Sequence, residues 1–177
     1  MLLLNIKCLP FQVICNLPIL QSLTGLRNMD LRGSENLKEI PDLSLATNLK
    51  KLDVSNCTSL VELSSTIQNL NQLEELQMER CENLENLPIG INLESLYCLN
   101  LNGCSKLRSF PDISTTISEL YLSETAIEEF PTELHLENLY YLGLYDMKSE
   151  KLWKRVQVCS YSNVFSNLFL NSRIIRS

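Results

Sequence analysis

The chain has 177 residues, 45% of them hydrophobic and 20% charged. That is enough apolar material to bury a core in one domain, and it sets aside disorder as a description of the whole. Charge is uneven: residues 21–150 hold 9 Lys or Arg against all 21 Asp and Glu, a balance of −12, whereas residues 151–177 carry five basic residues and no acid. The acidic body argues against sequence-independent nucleic-acid binding, which needs cations to displace counterions from phosphates, and the change of sign marks a boundary.

The chain opens on the apolar stretch MLLLNIKCLPFQVICNLPIL. A secretory signal wants a basic start and a small-residue cleavage site, and a membrane span wants about 20 mostly apolar residues. Here Asn5, Lys7, Gln12 and Asn16 interrupt the run, Pro10 and Pro18 break a helix, and no charge precedes the leucines. Residues 1–22 are therefore expected to pack on the element that follows, with no membrane partner.

From Leu26 onward the chain repeats itself. Residues 26–41 read LRNMDLRGSENLKEIP, 49–64 LKKLDVSNCTSLVELS, 73–88 LEELQMERCENLENLP, 96–111 LYCLNLNGCSKLRSFP, 117–131 ISELYLSETAIEEFP and 139–152 LYYLGLYDMKSEKL. The leading residues Leu26, Leu49, Leu73, Leu96, Ile117 and Leu139 stand 23, 24, 23, 21 and 22 residues apart, the spacing of leucine-rich repeats. Alternation supplies the physical sense, because side chains two apart on a strand share a face. Leu52 and Val54 point inward, whereas Lys51, Asp53 and Ser55 point out of the concave wall. The prediction is an α/β leucine-rich repeat solenoid: a curved parallel β-sheet on the concave face and short helices or irregular coils on the convex one. Six repeats are assigned to residues 23–157, and residues 158–177 read as a non-repeat basic tail with no pattern to order it.

The turn after each strand holds Ser34, Cys57, Cys81, Cys104, Thr125 and Met147. Small or sulfur-bearing side chains suit a buried stack beneath a turn, cysteine above all, since it is small and only a weak donor. Metal binding or catalysis by these thiols would need ligand spacing or a neighbouring base. No C-x-x-C occurs, and the single histidine, His135, falls in the connection after Pro131. An odd count of seven cysteines spaced by the repeat also disfavours disulfides and indicates a reducing compartment. Asn56-Cys57-Thr58 matches the glycosylation acceptor pattern, but a tight turn beside a buried cysteine reads as a chance match.

Five glycines form neither G-x-x-x-x-G-K-[ST] nor G-x-G-x-x-G, so nothing cradles a phosphate. Acid pairs such as Glu74-Glu75 and Glu128-Glu129 read as solvated faces. No cofactor is called for and no enzyme is expected. What remains is a surface of concave positions: Asn28, Asp30 and Arg32; Lys51, Asp53 and Ser55; Glu75, Gln77 and Glu79; Cys98, Asn100 and Asn102; Glu119, Tyr121 and Ser123; Tyr141, Gly143 and Tyr145. With strands ~4.8 Å apart, six make a wall roughly 24 Å across, suited to a protein loop or helix. The protein-binding candidates are Lys51, Asp53, Glu75, Gln77, Glu79, Asn100, Asn102, Glu119, Tyr121, Tyr141 and Tyr145. Gly143, opposite Tyr121, leaves that ring room to lean across and form an aromatic shelf with Tyr141 and Tyr145 beside Glu119.

The phrases LKEIPDLSLATNLKKLDVSNCTSLVELSSTIQNLNQLEEL, CENLENLPIGINLESLYCLNLNGCSKLRSFPDIS, and TAIEEFP followed by KLWKRVQ resemble the leucine-rich repeats of plant nucleotide-binding disease resistance proteins with a TIR domain. The likeness runs from Leu26 to about Gln157. Extracellular plant receptors carry NxLxGxIP after the strand, which CTSLVELS, CENLENLP and CSKLRSFP lack. The resemblance implies a truncated piece of a cytoplasmic or nuclear receptor of innate immunity, whose partner is a pathogen effector or the receptor's own nucleotide-binding domain. It implies no NAD cleavage and no ATP binding, because neither module is present. Two alternatives stay open: a structural or decoy fragment without activity of its own, and a substrate-adaptor repeat domain.

Overall fold

In the computed structural model, the described residues are 23–88, 93–131, 138–147 and 149, together with the backbone of two strands at 4–7 and 169–171. Eight strands form one sheet in sequence order: β1 (Leu4–Lys7), β2 (Leu26–Asp30), β3 (Lys51–Asp53), β4 (Glu75–Gln77), β5 (Cys98–Asn100), β6 (Glu119–Tyr121), β7 (Tyr141–Gly143) and β8 (Phe169–Asn171). Every neighbouring pair is parallel. The register repeats the sequence alignment, with Met29, Leu52, Leu76, Leu99, Leu120 and Leu142 in one row and Asp30, Asp53, Gln77, Asn100, Tyr121 and Gly143 in the next.

The sheet runs one strand past the repeats at each end. The amino-terminal stretch meets the first repeat edge to edge, Ile6 opposite Met29. The carboxy-terminal segment read as a patternless tail contributes β8, with Leu170 opposite Leu142. The repeat pattern missed both because a parallel edge is extended by backbone hydrogen bonds, which any non-proline sequence can supply.

Inside, the ladders close into a single core. Leu31, Val54, Met78, Leu101, Leu122 and Leu144 are each at most 1% exposed, and Leu37, Leu60, Leu84, Leu107 and Ile127 stack beneath them. Burying each such side chain contributes ~1.5–3 kcal/mol. No coil encloses its own leucines, so that gain exists only when neighbours stack. Outside the strands the described residues contain turns and short 3-10 segments at residues 23–25 and Ser65–Asn69, the latter with the Ser64 hydroxyl accepting from the Thr66 N–H at its start. Of the short helices or coils expected there, coils dominate; at 21–24 residues a repeat has little chain left for a helix once strand and turn are made.

Each coil leaves its strand through a left-handed residue: Gly33, Asn56, Arg80, Gly103, Glu124 and Asp146, with φ between 51° and 74°. Only the glycines adopt this freely; Arg80 and Glu124 hold it at a cost on the order of 1 kcal/mol. The backbone of the next coil enforces it, since the Arg80 N–H donates to the Asn102 carbonyl at 2.7 Å and that of Glu124 to Tyr145 at 2.9 Å. Asn56 takes the same conformation but is exposed at the surface, so burial does not exclude it as a glycan acceptor.

Candidate functional site

The cysteine ladder is structural. The thiols of Cys57, Cys81 and Cys104, all 0% exposed, donate at 3.2 Å to the carbonyls of Leu31, Val54 and Met78 in the preceding coil. Burial pushes Cys57 up to about 11 and Cys104 up to about 12, and raises Cys81 further still. A protonated thiol under a turn is neither nucleophile nor ligand. Among the described residues no group of three His, Cys, Asp or Glu could hold a metal. His135 lies outside them.

The concave wall divides into two regions. On β2–β4 the charges pair among themselves. Arg32 binds Asp30 through two bonds, Nη2 to Oδ2 at 2.7 Å and Nε to Oδ1 at 3.0 Å, and its Nε lies 3.5 Å from Asp53 Oδ2. Lys51 Nζ donates to Glu75 Oε2 at 2.6 Å, while the Tyr97 hydroxyl donates to Glu75 Oε1 at 3.0 Å. Those bonds, Lys51 first, hold the Glu75 carboxyl below its ordinary range, and Lys51 is raised by the same partner. Tyr97, bonded to a carboxylate, is pushed up to about 12. Lys50 and Glu74 pair on the flank just before the strands.

Polar residues of the wall also serve the backbone. Asp30, Asp53 and Asn100 each accept the N–H two residues on, from Arg32, Ser55 and Asn102. Where Tyr121 and Gly143 replace such a residue, the neighbouring coil substitutes: Asn102 Oδ1 accepts the Ser123 N–H, and Ser123 Oγ accepts the Tyr145 N–H, both at 2.9 Å. Asp53, Asn100 and Asn102, expected as binding residues, are thus partly committed to holding the turn. Ser55, Cys98 and Ser123 are buried, at 7%, 6% and 9% exposure, and offer little surface.

On β6 and β7 the arrangement is aromatic. The Tyr121 and Tyr141 rings lie 4.7 Å apart between centroids, tilted by 34°. A Cβ on Gly143 would stand 3.3 Å from Tyr141 Cε1 and 3.6 Å from Tyr121 Cδ1, so both rings reach over the glycine. The Tyr121 hydroxyl donates to Glu119 Oε2 at 3.1 Å, and burial together with that acceptor pushes Tyr121 up to about 12. The Cys98 thiol, up at about 11 through burial and the nearby Glu119 charge, lies between Gln77, whose Nε2 is 3.4 Å away, and this carboxylate. Tyr145 sits half-buried one turn further on, and Glu79 is exposed.

The concave pattern did not include the flank one residue before each strand. There Tyr97 is 39% and Tyr140 58% exposed, enlarging the aromatic area. The flank is held as firmly as the strands, because one carbonyl takes two N–H groups at each step: Tyr97 accepts Ser118 and Glu119, and Ser118 accepts Tyr140 and Tyr141. The signal was present as tyrosines directly preceding Cys98 and Tyr141. A groove of about 960 Å³ lies elsewhere, lined by Glu85, Asn86, Lys106, Arg108, Glu128 and Ser149 on the side reached after the turn.

The family model for the leucine-rich repeat domain of the endo-beta-N-acetylglucosaminidase EndoS matches residues 9–92. Among curated proteins, the Arabidopsis thaliana disease resistance protein RPS6 is 60% identical over 118 residues, 67% of this chain and 10% of that protein. Disease resistance protein RPP4 from the same plant is 60% identical over 161 residues, 77% of this chain and 14% of its own length. The repeats belong to plant TIR-type nucleotide-binding disease resistance proteins. A third relative, SUPPRESSOR OF npr1-1, CONSTITUTIVE 1, is 56% identical over 80% of the chain and 11% of its own length. The chain thus spans about a tenth of the disease resistance proteins it matches. An internalin structure from Listeria monocytogenes matches 87% of this chain and 57% of its own with a TM-score of 0.40 at 18% identity, a likeness too slight to bear on function. Leucine-rich repeats of disease resistance proteins mediate protein–protein interaction. Among the described residues no helix is long and apolar enough to cross a membrane.

Proposed function

We propose that the chain is a protein-interaction module of intracellular plant innate immunity. In this reading its concave wall binds a pathogen effector or the nucleotide-binding domain of its parent receptor. Tyr121, Tyr141 and Tyr145 are the anchors, flanked by Glu119, with Lys51, Asp53, Glu75, Gln77, Glu79, Asn100 and Asn102 forming the polar remainder. The observation that carries the reading is the tilted tyrosine pair over Gly143. Tyrosine gives large contact area with a polar tip and is enriched among binding hot spots. The pair stands on β6 and β7, with β8 paired beyond it, which supports a surface role over an end cap. The protonated, unpaired thiols suit a reducing compartment, the cytoplasm or nucleus.

The test is binding of the purified chain to the nucleotide-binding domain of a matched disease resistance relative and to its effector, by calorimetry, with Tyr121→Ala, Tyr141→Ala and Tyr145→Ala followed in parallel by melting. Anchors lose ~2 kcal/mol of binding each. If all three variants melt lower and bind as before, the tyrosines are packing residues and the assignment is wrong.

A further inference from the structure

We infer that the corner formed by Glu119, Tyr121 and Tyr141 receives an arginine side chain from the bound protein. The inference rests on the concave-wall reading and names the chemistry its partner brings.

Charge bookkeeping along the wall points there. On β2–β4 and their flank, ion pairs join Arg32 to Asp30 and Asp53, Lys50 to Glu74, and Lys51 to Glu75. From β5 to β7 the concave positions and their flank hold no Lys or Arg, while Glu119 is a carboxylate and the turn residues Glu124 and Asp146 add acid at the rim. The nearest cation in Glu119's own row is Lys51, three strands away or ~14 Å at the usual strand spacing, and already bonded to Glu75. The groups that bond Glu119 on the wall are the Tyr121 hydroxyl, at Oε2, and the Cys98 thiol beside it, both neutral donors.

Shape selects arginine over other cations. The Tyr121 and Tyr141 rings lie 4.7 Å apart between centroids, beside the Glu119 carboxylate and next to a glycine that adds no side chain of its own. A guanidinium is planar and weakly hydrated, stacks on an aromatic ring within ~6 Å of its centroid, and offers a fork that fits a carboxylate. Tyr121 brings face and carboxylate together, since its own hydroxyl binds Glu119. A lysine ammonium meets the charge but not the plane. Acidic or apolar partners would bury Glu119 without compensation, which is costly.

The test uses the whole chain with ring-labelled tyrosine, titrated by NMR with the capped pentapeptide Gly-Ser-Arg-Ser-Gly, its citrulline counterpart and its lysine counterpart. Citrulline keeps the shape of arginine and loses the charge. The expected result is saturable movement of the Tyr121 and Tyr141 signals with arginine, about tenfold weaker binding of citrulline, and a loss of about tenfold in Glu119→Gln, whose fold is checked by circular dichroism. Equal binding of arginine and citrulline peptides, shifts confined to residues outside the corner, or an unchanged affinity in Glu119→Gln overturns the inference. The two levels separate with a protein partner. Lost binding in Tyr121→Ala with none lost in Glu119→Gln leaves the wall as the binding surface and removes arginine from it. Tyrosine variants that alter only the melt remove both.

Discussion

Strands β2–β4 and strands β6–β7 share one backbone, one register and one leucine ladder, yet they dispose of their outward side chains in opposite ways. In the first region charges are consumed internally: Arg32 by Asp30 and Asp53, Lys51 by Glu75. In the second, rings lie over a glycine beside a carboxylate that no described cation pairs with. A ladder position therefore fixes where a side chain stands and leaves open whether it is available. Availability is decided by the neighbours one coil above and below.

The largest effect that sharpens this contrast is expected at Gly143. Gly143→Leu forces atoms between Tyr121 and Tyr141, where even a Cβ would be 3.3 Å from a ring carbon. Overpacking of that kind costs ~1–3 kcal/mol, and ring signals of both tyrosines should move. Gln77→Leu, in the same row on β4, is half-buried and should cost no more than about 0.5 kcal/mol. Equal losses in chemical denaturation would mean that the two regions are not packed differently.

Next comes the cap that the second region lends itself. Ser123→Ala removes the acceptor of the Tyr145 N–H from a nearly buried site and should cost ~1–2 kcal/mol. Asp53→Asn keeps the Oδ1 acceptor for Ser55 and loses only a long, partly exposed contact with Arg32, for a loss near ~0.5 kcal/mol. If Asp53→Asn proves the more damaging, the charges of the first region matter more to the fold than their exposure implies.

Which of these features could be read from the chain follows from what a repeat conveys. The rows Leu52–Leu76–Leu99 and Cys57–Cys81–Cys104 were legible because one residue type recurs wherever one environment recurs. Of the expected tyrosine shelf, the Tyr121–Tyr141 contact was legible because Gly143 removes a side chain at a known register. The pairing of Lys51 with Glu75, and the loan of Ser123 to Tyr145, depend on rotamers across coils, which no periodicity encodes. Strands β1 and β8 escaped for the opposite reason, having register without pattern.

The thiols test the interior common to both regions. Cys81→Ala removes a donor to the Val54 carbonyl and leaves a small cavity, for an expected loss of about 1 kcal/mol. Cys57, Cys81 and Cys104 should resist alkylation at pH 8 in the native chain and react in denaturant. Rapid native labelling of all three would show that the coils open as readily as the surface.

The smallest effect is in pH, where the regions should part at opposite ends of the scale. Glu75 is lowered in the folded chain, so its contribution is fully present above its ordinary value of 4.5 and fades as pH falls through the lowered one. Tyr121 is raised from 10.0 to about 12, so its contribution is complete below pH 10 and is lost as pH climbs toward 12. Lys51 and Tyr97 are raised as well and add an alkaline loss to the first region, which leaves the acid limb as the cleaner separator. Glu75→Gln should flatten stability between pH 5 and the acid transition by at most about 0.5 kcal/mol, since the pair with Lys51 is partly exposed and screened. Tyr121→Phe should leave that limb alone and flatten the alkaline one. An acid limb altered by Tyr121→Phe and untouched by Glu75→Gln would place the pH-sensitive pairing on the wrong half of the wall.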